Sequence, residues 1–130
     1  MLRRRSVELV LTALTAVSLA AAPARANDDE ARKSGSCSRP SDWQLRVRKE
    51  DARTLQVRFE IEHGASGQTW EVFLSDNGDR FFAGTRRSGD NGYVRVRKQT
   101  KNRTGTDRVK GFGYNRATGE TCSGKVAYDH

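Results

Sequence analysis

The chain has 130 residues, of which 24 are Lys or Arg and 16 are Asp or Glu, so its formal net charge is +8 at pH 7. Only two histidines and two cysteines are present, and they do not form a cluster with the spacing of a metal site. The sequence also lacks the Gly-x-Ser-x-Gly, His-Glu-x-x-His and Walker-type motifs. We therefore expect no metal, no cofactor and no catalytic site.

Residues 1–26 have the pattern of a signal peptide. Three arginines at positions 3–5 precede an apolar segment over residues 9–22, and Ala24-Arg25-Ala26 supplies a small-x-small cleavage site. The apolar segment is shorter than the roughly 20 residues of a membrane-spanning helix. We predict a signal-peptide helix cleaved after Ala26 and a secreted protein with no membrane span. Glu8 favours the general export route over the twin-arginine route.

Residues 27–36, with the sequence NDDEARKSGS, are polar and show no apolar period. Such a segment buries too little apolar surface to become ordered, so we predict a disordered lead-in. The folded part would then occupy residues 37–130, which is the size of a single domain.

Cys37 and Cys122 lie near the two ends of the predicted domain. An even number of cysteines in a small exported protein predicts a disulfide. Catalytic or metal-binding thiols are disfavoured, because the sequence has no Cys-x-x-Cys spacing and no flanking histidine. A bridge that closes so long a loop stabilises the fold by about 4–5 kcal/mol in the chain-entropy model.

Alternating apolar and polar residues predict six or seven short strands after Cys37, and no helical period appears there. The clearest element is a hairpin over residues 69–85. Its turn, Asp76-Asn77-Gly78-Asp79, holds an Asn-Gly pair that tolerates positive φ. On its first strand Trp70 begins the apolar face, while Phe73 lies on the opposite face. On its second strand Phe81 and Phe82 are adjacent, so one of them must point outward or lie at an edge.

Seven short strands with a turn every 8–12 residues or so predict an all-β, immunoglobulin-like antiparallel sandwich of two sheets. One sheet would hold residues 43–47, 55–61 and 93–98, and the other the two hairpin strands with residues 108–114 and 121–128. Trp70 would be the core tryptophan, with Gly111 and Gly113 making room for a large ring. A small closed barrel is the alternative fold.

The order Cys37…Trp43…Trp70…Phe81-Phe82…Thr118-Gly119-Glu120-x-Cys122 extends across nearly the whole predicted domain. In this order the chain resembles small exported actinobacterial proteins with an immunoglobulin- or fibronectin-III-like sandwich. The resemblance implies the fold and lends no activity.

Positive charge is concentrated in residues 80–116, which contain eleven basic residues and only two acidic ones, Asp90 and Asp107. Basic strands with interleaved aromatic residues can bind a polyanion. The candidate binding face comprises Phe73, Phe82, Arg108, Lys110, Phe112 and Tyr114. The competing interpretation is a solvated outer face whose charges block edge-to-edge pairing. A second basic face, made by Arg46, Arg48, Arg58, Arg95 and Arg97, also carries Glu60 and Glu62, which suggests ordinary cross-strand charge pairing.

These observations favour a secreted, non-catalytic binding module whose partner is an anionic polymer or a surface protein. One alternative is a carrier of small apolar ligands, with a pocket opened by Gly111 and Gly113. Another is a secreted ribonuclease using Glu62 and His63. We expect the side chains of these two neighbours to diverge to opposite faces of a strand, which disfavours the ribonuclease hypothesis.

Overall fold

The computed structural model describes residues 29–129, so the predicted signal peptide, residues 27 and 28 and His130 lie outside the described residues. The described chain forms eight strands, with one 3-10 turn at Asp90–Gly92. The strands are β1 Glu30–Ser36, β2 Asp42–Asp51, β3 Thr54–Glu62, β4 Thr69–Asp76, β5 Asp79–Arg87, β6 Val94–Lys101, β7 Thr106–Asn115 and β8 Thr121–Asp129. Within residues 29–129, no helix has the length and apolar character needed to cross a membrane.

The strands form two four-stranded antiparallel sheets, which confirms the predicted sandwich. The first sheet has the order β1-β2-β3-β6 and the second has the order β5-β4-β7-β8. Every predicted strand lies in its predicted sheet. In an immunoglobulin sandwich, β2, β3 and β6 correspond to strands A, B and E, and β4, β7 and β8 correspond to strands C, F and G. Strand β5 adds a further edge beside β4.

Strand β1 was not expected. The prediction of a disordered lead-in over residues 27–36 is wrong for Glu30–Ser36, which pair with β2 along their whole length. Ala31 packs against the core, and a Cβ atom at Gly35 would lie 2.8 Å from the Trp43 ring. The strand is ordered by hydrogen bonding to an available sheet edge and by small residues over Trp43. A polar sequence without apolar alternation indicates neither the pairing with a sheet edge nor the packing over Trp43.

The core lies between the two sheets and contains the apolar faces predicted from alternation. Its largest fully buried apolar side chains are Trp70, Phe59 and a set of Leu, Ile and Val residues from both sheets. Each contributes about 2 kcal/mol by leaving water. Trp70, on β4, has no exposed surface, so its predicted place as the core tryptophan is confirmed.

Glycines on the inner face of the second sheet provide room for large side chains of the first. A Cβ atom at Gly111 would lie 2.7 Å from the Phe59 ring, and one at Gly113 would lie 2.7 Å from Ile61 and 3.4 Å from Trp70. The predicted space therefore exists, but Phe59 and Ile61 fill most of it. These two glycines serve close packing of the sheets and do not open a ligand pocket.

One end of the sandwich is held by the predicted disulfide, which joins Cys37, in the loop between β1 and β2, to Cys122 on β8. Beside it Glu120 is almost completely buried, with 4% exposure. Its carboxylate accepts hydrogen bonds from the backbone N–H of Ser41 at 2.9 Å and from the Ser41 hydroxyl at 2.7 Å. A covalent bond and a charge-assisted pair of hydrogen bonds thus fix the start of β2 to the start of β8.

Candidate functional site

The outer face of the second sheet has two phenylalanines at its centre. Phe73 of β4 stands directly opposite Phe112 of β7, and their ring centroids are 6.3 Å apart. Both side chains are half-buried. The predicted orientation of Phe73, away from the core and beside Phe112, is therefore confirmed. Pairing across two central strands gives the rings a fixed geometry, because the backbone ladder holds both strands.

Cations surround this aromatic pair. The Arg80 guanidinium carbon lies 4.6 Å from the centroid of the Phe73 ring, which is a cation–π contact. Lys110 stands one outward position beyond Phe112, opposite Ser75 on β4 and Lys125 on β8. We define the basic-aromatic face by the residues Phe73, Arg80, Arg108, Lys110, Phe112, Tyr114 and Lys125.

A shallow depression of about 340 Å³ lies at the centre of the basic-aromatic face. It is lined by Phe73, Phe112, Arg80 and Lys110, together with Leu74, Ser75 and Gly78. The depression thus combines apolar ring surface with two positive charges. This combination suits a ligand with a flat or apolar unit beside an anionic group.

The hairpin turn positions Arg80. Asn77 and Gly78 have φ values of 49° and 86°, the positive values that the Asn-Gly pair predicts. The Asn77 side-chain oxygen accepts a hydrogen bond from the backbone N–H of Arg108 at 2.8 Å, which ties the turn to β7. A bulge between Leu74 and Ser75 then places Arg80 opposite Ser75, on the same face as Phe73.

The cations of the basic-aromatic face are not neutralised by neighbours. Among residues 29–129, no ion pair is formed by Arg80, Lys110 or Lys125. The nearby carboxylates are already engaged: Glu71 pairs with Arg116 at 3.0 Å and Asp79 pairs with Arg103 at 3.0 Å. The face therefore presents a net positive potential around its aromatic centre.

Arg108 and Tyr114 lie on the outer face as predicted, at the two ends of the β7 row. Tyr114 is 37% exposed. Phe82 does not belong to this surface. It stands opposite the buried Leu74, packs against the core at the sheet edge, and is covered by Arg86 and Lys98. The bulge explains the error, because it breaks the alternation that would assign a face to each of two adjacent phenylalanines.

Sequence reasoning missed Arg80 and Lys125. Lys125 alternates with the inward Gly124 and Val126, so period two alone would have placed it outward on β8. For Arg80 no local signal was available, because its face depends on the bulge opposite Leu74 and Ser75.

A buried pair of carboxyl groups lies at the same end of the sandwich as the hairpin turn. Asp76, the last residue of β4, and Asp107, on β7, both have no exposed surface. Burial, followed by the neighbouring Asp107, raises the pKa of Asp76 to about 6. The Thr100 hydroxyl donates a hydrogen bond to Asp76 at 3.3 Å, which opposes that rise.

His63 forms an ion pair with Asp42 at 2.9 Å when it is protonated. Together with Glu62, both residues line a depression of about 360 Å³ at the start of β2. The expected divergence of Glu62 and His63 is therefore wrong. Strand β3 ends at Glu62, and His63 adopts a positive φ of 64°, so strand alternation no longer applies to it.

The sequence was also compared with known proteins. No protein-family model matches this chain, and no curated protein sequence is significantly similar to it. The resemblance to small exported sandwich proteins therefore stays a prediction.

Proposed function

We propose that this protein is a non-catalytic binding module that binds an anionic polymer through the basic-aromatic face. The observation that carries the proposal is the depression at the Phe73–Phe112 pair, where ring surface and the unneutralised Arg80 and Lys110 meet. Cations attract the anionic groups of a polymer, and the rings offer stacking surface to its repeating units.

A purely solvated outer face explains part of this arrangement. Outward Lys and Arg residues keep a sheet soluble, and a cross-strand pair of rings stabilises it. Solubility requires neither a depression beside the rings nor cations grouped around it without acidic partners. The grouping of Arg80, Lys110 and the Phe73–Phe112 pair at one position supports binding.

Export is part of the proposal. Its support is the signal-peptide pattern of residues 1–26 together with the disulfide between Cys37 and Cys122, a bond typical of oxidising compartments. The partner would then be a polymer met outside the cytoplasm.

Retention on immobilised heparin and on single-stranded DNA tests this proposal. We expect the protein to bind both columns at about 50 mM salt and to elute as the salt concentration rises. Passage through both columns at low salt would overturn the proposal.

A pair of matched variants assigns the contact. Arg80→Gln with Lys110→Gln removes two charges from the basic-aromatic face, whereas Arg39→Gln with Arg53→Gln removes two exposed charges elsewhere. If both face cations touch the polymer, the slope of log K against log salt falls by about 2 in the first variant. Equal slopes in the two variants would overturn the assignment to this face.

Phe112→Leu tests the aromatic contribution, because leucine keeps apolar volume beside Phe73 but removes the ring. We expect affinity for a labelled oligothymidylate to fall about tenfold, in line with the loss of one stacked base. Unchanged affinity would show that the rings only stabilise the sheet.

A further inference from the structure

The outer face of the first sheet contains a row of four arginines, one from each strand. Arg32 of β1 stands opposite Arg46 of β2, Arg46 stands opposite Arg58 of β3, and Arg58 stands opposite Arg97 of β6. We call these four residues the arginine row. With neighbouring strands about 4.8 Å apart, the row extends about 14 Å across the sheet.

Such a row is unfavourable for the fold by itself, because like charges directly opposite each other repel. Burial and then the positive charge of Arg58 lower the pKa of Arg46, with Arg32 and Arg48 adding to the effect. Glutamates at the opposing positions would have removed this repulsion. The register places arginine against arginine three times in succession.

Nearby carboxylates compensate the row only in part. Glu30 contacts Arg32 and lies 3.5 Å from Arg46, while Glu60 lies 2.9 Å from Arg58 and 3.2 Å from Arg95. The remaining positions beside the row include neutral Gln44, Gln56 and Gln99. Within residues 29–129, Arg97 forms no ion pair. The predicted cross-strand charge pairing therefore occurs but leaves an excess of positive charge.

A depression of about 300 Å³ adjoins the row. Arg32, Arg46 and Arg58 line it together with Ser34 and Gln44, which supply further hydrogen-bond donors. A volume of this order accommodates a tetrahedral oxyanion with part of its chain. The outward positions of these four strands hold no aromatic side chain. The Tyr93 ring, just before β6, is covered by the Arg95 guanidinium at 5.3 Å.

We propose that the arginine row is a second anion-binding site, which takes a linear chain of phosphate groups lying across the strands. A guanidinium group binds a phosphate through two parallel hydrogen bonds, and a row of them at regular spacing fits a polymer with one anion per repeat. Each bound phosphate relieves the repulsion between neighbouring arginines. The site lies on the opposite sheet from the basic-aromatic face and does not depend on it.

The test uses long-chain inorganic polyphosphate and an oligothymidylate as probes, with titrations at several salt concentrations. The row variant is Arg46→Gln, Arg58→Gln and Arg97→Gln, which leaves Arg32 with Glu30 and Arg95 with Glu60. The control variant is Arg39→Gln, Lys49→Gln and Arg53→Gln, which removes the same charge at exposed positions outside the row.

For polyphosphate, we expect the salt slope of the row variant to fall by about 3 and that of the control variant to stay unchanged. Affinity at low salt falls at least about tenfold in the row variant only. Equal slopes and affinities in wild type, row variant and control variant would overturn the proposal. Arg97→Gln alone, at an exposed position, provides the same test with a slope change of about 1 should the triple variant fail to fold.

The second probe identifies the source of the phosphates. If the row variant loses binding to both probes, the arginine row is a site for any phosphate chain. If it loses binding to polyphosphate alone, the row is a site for phosphate chains without nucleosides. Replacing Arg46, Arg58 and Arg97 by lysine keeps the positive charge but removes the paired N–H donors of each guanidinium. An affinity between those of wild type and the row variant therefore supports bidentate binding. If binding of the two probes is weakened only by Arg80→Gln with Lys110→Gln, the row proposal fails while the proposed function stands. If it is weakened only by the row variant, the row proposal stands while the proposed function fails.

Discussion

The two ends of the sandwich both bury carboxyl groups, but they do so in opposite ways. At the disulfide end, Glu120 accepts two hydrogen bonds from Ser41, and Cys37–Cys122 closes the same region covalently. At the hairpin end, Asp76 and Asp107 are both buried close together, and the pKa of Asp76 rises to about 6. Glu120 is met by two donors, whereas Asp76 accepts a hydrogen bond from Thr100 but also has Asp107 as a neighbouring carboxylate, and burial with that neighbour raises its pKa.

The two ends also differ in role, because the disulfide end holds strands together and the hairpin end lies beside the candidate binding face. The disulfide end fixes the start of β2 to the start of β8. The hairpin end carries the turn that positions Arg80 over Phe73, so the electrostatic conflict lies beside the basic-aromatic face. Conflicts of this kind are tolerated where the rest of the fold is stable enough to hold them.

The largest expected effect is at the disulfide end. Replacing both Cys37 and Cys122 by alanine should lower the free energy of unfolding by about 4 kcal/mol, because the unfolded chain regains the freedom of a long loop. Urea unfolding of the variant, and of wild type in reductant, measures this loss. A loss below about 1 kcal/mol would mean that the hydrogen bonds around Glu120 suffice.

Glu120→Ala should destabilise the fold by about 3 kcal/mol, since it leaves a buried N–H and a buried hydroxyl of Ser41 without their acceptor. Asp90→Ala, at an exposed acidic position, is the control and should change stability by less than about 0.5 kcal/mol. Similar urea midpoints for the two variants would show that the hydrogen bonds of Glu120 do not stabilise the disulfide end.

Asp76→Asn should change the pH dependence of stability. The pKa of Asp76 is about 6 in the folded protein against 3.8 as the ordinary value, so the folded state holds a proton that the unfolded state releases between these values. The stability that Asp76 contributes is fully present below about pH 4 and is lost as pH rises through about 6. The variant should therefore gain about 2 kcal/mol relative to wild type between pH 4 and pH 7.

Thermal or urea unfolding of wild type and Asp76→Asn across that pH range measures the difference. Asp90→Asn is the matched control, because Asp90 is exposed and lies away from the Asp76–Asp107 pair. Parallel stability curves of wild type and Asp76→Asn would show that the hairpin end holds no electrostatic conflict.

Much of the fold was predictable because the signals are local. Alternation around Trp70, Phe59 and Val126 assigned the inward faces, and the Asn-Gly pair assigned the hairpin turn. Two parts of the candidate site, Phe73 and Phe112, were assigned to one outer face in the same way. The errors at β1 and Phe82 have a common cause, since pairing with a distant strand and a bulge leave no mark in the local pattern.

The sequence by itself determined which side chains face the core on the regular strands, because successive residues of such a strand point to opposite faces. It did not do so at the bulge, where Phe82 lies, or on β1. Only the tertiary structure decided which residues stand opposite one another. Arg32, Arg46, Arg58 and Arg97 come from four separate strands, and Asp76 and Asp107 come from two, so strand register brings each group together. Register depends on the fit of the whole core and the turns, and a single strand contains no information about its partner's alignment.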